Sequence, residues 1–152
     1  MTIAAIIIGA FLILLFLYQF IFRVSGTWKN NGDASSKEII ELAQFGPFVS
    51  GESTAQYDGK HRYSGYIIGN TLVLHRKDYG LQYLSQQGFP TEVAKQVEGM
   101  VRAQLRLSVK NNRTRLDGQF IPLKIEFMQN PARITKQYFV QFQERKFTKI
   151  AE

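Results

Sequence analysis

The stretch FVSGESTAQYDGKHRYSGYIIGNTLVLHRK, residues 48–77, holds three runs rich in β-branched and aromatic residues: Phe48 to Tyr57, Lys60 to Ile68 and Thr71 to Lys77. Asp58-Gly59 and Gly69-Asn70 separate them. Both pairs accept the positive φ that a two-residue hairpin loop demands, so the three runs read as an antiparallel meander. Counting outward from those turns sets a register. His75 falls opposite Ser64, Ser64 opposite Ser53, and His61 opposite Gln56 on the other face.

Downstream, Leu81 to Gln87 reads as a short helical turn, broken at Gly88-Phe89-Pro90. Thr91 then caps a longer helix expected to reach Leu107, because Val93, Val97, Met100, Val101 and Leu105 recur at helical spacing. Gly99 lies inside that helix at a cost of up to ~1 kcal/mol against alanine. The last third repeats the meander: a run ending at Leu116, an Asp117-Gly118 turn, Phe120 to Met128, an Asn130-Pro131 turn, and Ile134 to Glu144. Pro122 lacks an amide hydrogen, which places its strand at an edge or a bulge there.

Upstream, Ser35 or Ser36 can cap a short helix carrying Glu38, Ile39, Ile40, Leu42 and Ala43, stopped by Gly46-Pro47. Ser25 to Ser36 is rich in turn formers and reads as a tether. Before it, Ile3 to Phe22 is an uncharged run with Gln19 as its one strongly polar side chain. As a helix it would be roughly 30 Å long, the thickness of a hydrocarbon core. It exceeds the apolar core of a signal peptide, and no basic residue precedes it, so an uncleaved transmembrane anchor is expected rather than a leader. The expected fold class is therefore α+β: one N-terminal transmembrane helix over residues 1–24, a tether over 25–36, and a small domain over 37–152 with two antiparallel β-meanders and an intervening amphipathic helix.

All 19 Lys and Arg and all 12 Asp and Glu follow Phe22, so the net charge of +7 belongs to the part beyond the apolar run. Arg23, Lys29 and Lys37 follow that run while its other flank has no basic residue, which places the domain on the cytoplasmic side of a single-pass protein. Within the run, Ala5 and Gly9 form a small-xxx-small pair that would let a neighbouring helix approach closely. Lys110, Arg113 and Arg115, with Arg145 and Lys146, concentrate positive charge that suits acidic lipid head groups. No base-reading motif accompanies these cations, and nucleic acid is not an expected partner.

The chemistry-bearing residues are few. Without cysteine there are no disulfides, thiolate metal sites or thiol nucleophiles. His61 and His75 are the only histidines, and the register above keeps them apart, so no metal or cofactor is expected. Ser53, Ser64 and His75 in one cross-strand row resemble a nucleophile with its base, but no orienting group or oxyanion donor accompanies them. Gly46 to Gly51 has the gap of a phosphate loop, yet Glu52-Ser53 stands where a lysine and a hydroxyl belong. The sequence thus points to a non-enzymatic subunit or assembly factor of a larger membrane protein complex, with other membrane protein subunits as partners. The alternative is an adaptor whose basic domain binds acidic lipid or a charged ligand.

Overall fold

A computed structural model of the chain describes residues 3–32, 37–55, 59–77, 81–100 and 103–151. It opens with helix α1 (Ile3–Ile21) and continues through strands β1 (Gly26–Asn30), β2 (Ile39–Phe45), β3 (Phe48–Ala55), β4 (Gly59–Ile68) and β5 (Thr71–Arg76). Two short helices follow, α2 (Leu81–Gln86) and α3 (Thr91–Val97), and then β6 (Ala103–Lys110), β7 (Arg115–Gln129), β8 (Ala132–Phe139) and β9 (Gln143–Ala151). Neighbouring strands run β6-β5-β4-β3-β2-β1-β9-β7, and β6 also pairs with β7, so eight antiparallel strands close into a barrel. Among the described residues β8 pairs only with the outer half of β7. Closure leaves those eight strands without a free edge in the wall.

The α+β expectation is corrected by this closure. Its two meanders are one continuous wall, joined through β5–β6 and β1–β9. Two segments read as helix are strands. Ile39–Phe45 buries Ile40 and Leu42 and exposes Ile39, Glu41 and Ala43, a period of two that suits a barrel wall. The expected helix from Thr91 stops at Val97, because Gly99 takes φ +74°, and Leu105 and Leu107 are inward-facing residues of β6. Gly26–Asn30, read as tether, is a wall strand whose Trp28 is fully buried and donates from Nε1 to the Val24 carbonyl at 2.9 Å. The proposed cap at Ser35 or Ser36 lies outside the described residues.

The transmembrane anchor and the single-pass localisation are also corrected: no helix among the described residues is long and apolar enough to cross a membrane. The apolar run counts residues that folding commits to the barrel. Leu15 lies against Gly46, and Tyr18 and Phe22 pack on the barrel core. What stands clear of the barrel is Ile3 to Leu14, about 18 Å of helix at 1.5 Å per residue, against a hydrocarbon core of about 30 Å.

The main core fills the barrel lumen with Trp28, Ile40, Ile67, Leu72, Leu105, Leu116 and Phe147, among others. Gly65 and Gly118 permit the wall to curve: a Cβ on Gly65 would overlap the Val73 carbonyl oxygen, and one on Gly118 that of Arg106. Asp117-Gly118, read as a turn, therefore lies within β7, and the connection is the loop Asn111–Thr114. Pro122 sits where pairing of β7 passes from β9 to β8, and its carbonyl accepts from Val140 at 3.0 Å. Beyond it, Leu84, Ala94, Val97 and Ile125 form a second core in which α2 and α3 pack beneath the β7–β8 extension.

Candidate functional site

The antiparallel path brings three turns to the end of the barrel from which α1 emerges: Gly46-Pro47, Gly69-Asn70 and Asn111–Thr114. α2, α3 and the β7–β8 extension occupy the other end. The joint at the foot of α1 is built from polar contacts that satisfy the last turn of the helix. Gln44 Nε2 donates to the Phe22 carbonyl at 3.2 Å and to the Gly46 carbonyl at 2.7 Å, while its Oε1 accepts from Val24 N at 2.8 Å. Tyr18 Oη donates to the Ile67 carbonyl at 2.6 Å. Arg113 Nη1 donates to the Phe20 carbonyl at 3.2 Å, placing a cation on the negative end of the helix dipole.

Arg113 is held there by an unusual backbone. Asn111, Asn112 and Arg113 take φ of 50°, 49° and 64° in succession, a left-handed run without glycine. Asparagine adopts this conformation more readily than most residues, whereas at Arg113 it costs roughly 1–2 kcal/mol. Thr114 bonds back to the Asn111 carbonyl through both its amide and its hydroxyl, which closes the loop.

The five cations singled out in the sequence do not converge. Lys110 and Arg115 flank Asp117 at 3.6 Å and 2.7 Å, and with Arg113 they sit at the α1 end. Arg145 turns into the opposite mouth, 3.9 Å from Glu38 and over the Phe120 ring. Lys146 lies on the outer wall, 3.8 Å from Glu144. Ala5 is exposed, and a Cβ on Gly9 would meet nothing within 4 Å, so the small-residue pair is unoccupied by this chain.

The serine–histidine row is rearranged by register. Ala55 pairs with Gly59, so Ser53 faces His61 rather than Ser64. Ser64 does face His75, on the outer wall, where His75 Nε2 lies 3.4 Å from Gln104 Nε2. Ser53, His61 and Arg76 are buried inside the lumen, where Arg76 Nη2 donates to His61 Nε2 at 2.8 Å. Ser53 Oγ has no hydrogen-bond partner, so it is not activated by the histidine beside it. Asp58 and Gln56 lie outside the described residues. No group of three metal-ligating side chains occurs among the described residues.

Among the described residues, the outer wall carries depressions of which two lie near the helix foot. One, of about 740 Å³, is lined by charges of both signs: Arg23, Glu41, Glu52 and Arg62. The other, of about 390 Å³, is lined by Phe45, Phe48, Val49 and Gly65 beside the helix foot.

Sequence reasoning reads Gly46-Pro47 only as a helix stop and misses the joint that Tyr18, Gln44 and Gly46 build. The signals available were a phenol in an apolar run and a glycine-proline turn whose glycine needed φ +57°. No family model, curated protein or solved structure matches this chain.

Proposed function

We propose that the protein is a non-enzymatic subunit or assembly factor of a larger membrane protein complex, with the barrel as a rigid body and α1 as the element that engages the assembly. One observation carries the reading. Ile3, Ile7, Leu14 and Phe16 are 78%, 63%, 64% and 69% exposed, and the exposed residues lie on every face of the helix. A helix that is apolar all round finds its stable environment only where other apolar groups surround it. The capped joint at its foot supports the same reading, since it holds the helix in a fixed direction.

The test is purification of affinity-tagged full-length protein in mild detergent, with co-purifying proteins identified by mass spectrometry, alongside Gly9→Leu. The added Cβ meets nothing within 4 Å, and Gly9 lies on the part of α1 clear of the barrel, so the variant should leave the barrel folded while blocking close helix approach. Loss of fixed-ratio partners from the variant is the expected result. Wild-type protein that co-purifies with no partner in fixed ratio would overturn the reading.

A further inference from the structure

We propose that the α1-bearing end of the barrel is a collar that seats on a bilayer containing anionic phospholipid. Phe45, Phe48 and Ile68 flank two adjacent turns at this end and are 62%, 63% and 67% exposed. They surround the point where Leu15 and Tyr18 dock, so their apolar surface is continuous with that of α1. Contiguous patches of this kind mark interaction surfaces. The 390 Å³ depression between Phe45, Phe48 and Val49 offers apolar chains a place against the wall.

Charge selects the occupant. Arg23 lies two residues past the end of α1, and Arg113 reaches the carbonyl of Phe20 in its last turn. Cations thus stand at the level of the helix foot, with aromatic rings beside them and apolar helix above. That sequence of layers matches acidic head groups over hydrocarbon. A helix lying in a water-exposed groove needs one apolar stripe and a polar back, whereas α1 from Ile3 to Leu14 has no polar side chain to turn toward water.

The collar rests on the rim and not on any protein contact of α1, so it can fail while the subunit reading holds, and the reverse. Because the chain has no cysteine, single spin labels can be placed on full-length protein by Phe48→Cys, Ile68→Cys and, at the opposite hairpin, Gln129→Cys. In vesicles of phosphatidylcholine with phosphatidylglycerol, labels at 48 and 68 should be shielded from a water-soluble nickel chelate yet open to oxygen, while the label at 129 stays open to nickel. In competition between neutral and phosphatidylglycerol-containing vesicles at low salt, Arg23→Gln with Arg113→Gln should lower the preference for the acidic vesicles about thirtyfold, two near-surface cations having been removed. Labels at 48 and 68 as open to nickel as the one at 129 would overturn the proposal. So would shielding from both nickel and oxygen, the mark of a covering protein. An unchanged vesicle preference would overturn its anionic part.

Discussion

Tyr18 and Ile67, 49 residues apart, are joined by a 2.6 Å hydrogen bond from phenol to carbonyl, and the same phenolic oxygen accepts the Gly69 amide at 3.3 Å. The Ile67 amide in turn donates to the Pro47 carbonyl at 2.8 Å, so the side chain of α1 grips a turn that the backbone itself ties to its neighbour. Tyr18→Phe keeps the ring packing and removes both contacts. It should destabilise the protein by about 1–2 kcal/mol and speed hydrogen exchange at Gly69 more than at core amides. Unchanged exchange at Gly69 would show that the phenol is not what holds the turn.

Gly65 and Gly118 should tolerate no side chain. Gly65→Ala or Gly118→Ala drives a methyl into a neighbouring strand's carbonyl, where backbone rather than a flexible side chain must move. Denaturant titration should show a loss of more than about 3 kcal/mol for each, at the top of the range for overpacking. Gly69→Ala meets no neighbour and should lose only the ~1 kcal/mol set by its φ of +56°.

Ser53 gives a prediction of opposite sign. Its hydroxyl is buried with no partner, so Ser53→Ala removes an unsatisfied group and should raise stability by about 1 kcal/mol, read from the thermal midpoint. A clear fall would mean that the hydroxyl is satisfied in solution.

Arg113 combines a favourable cation at the helix end with an unfavourable backbone. Arg113→Ala should cost about 0.3–1 kcal/mol through the lost dipole contact while keeping the strained φ. Arg113→Gly loses the same contact but relieves φ 64°, so it should be more stable than the alanine variant by about 1 kcal/mol. Equal denaturation midpoints for the two would show that the left-handed conformation is not costly there.

The strands from Phe48 to Arg76 were legible because β-branched alternation and the Gly69-Asn70 turn agree, and Ile68 does pair with Thr71. Register across β3–β4 was not. Three residues rather than two separate Ala55 from Gly59, and that change moved Ser53 from Ser64 to His61. Ile39–Phe45 offered both periodicities over too few residues to choose between them, and the vacancy beside β1 and β3 decided for strand. Closure itself depends on β1 meeting β9, a pairing across some 120 residues that no local pattern encodes. The length of the apolar run likewise concealed its division between free helix and joint, since Leu15, Tyr18 and Phe22 are apolar or aromatic in either role. The cations at 110, 113 and 115 were readable as a cluster, whereas the opposite placements of Arg145 and Lys146 follow from strand alternation around buried Phe147.

β7 is 15 residues long, about 50 Å of extended chain, and belongs to both cores. Its first part, Arg115–Phe120, is clamped between β6 and β9, while Leu123–Gln129 has β8 as its ladder partner beyond the barrel. The strand therefore behaves as two cooperative units sharing one backbone. Peeling β8 with α2 and α3 frees the distal half and leaves the clamped half intact, so slow-exchanging amides should end near Phe120. The helix foot, tied to the clamped half through Asn111–Thr114, would stay fixed while the far end breathes.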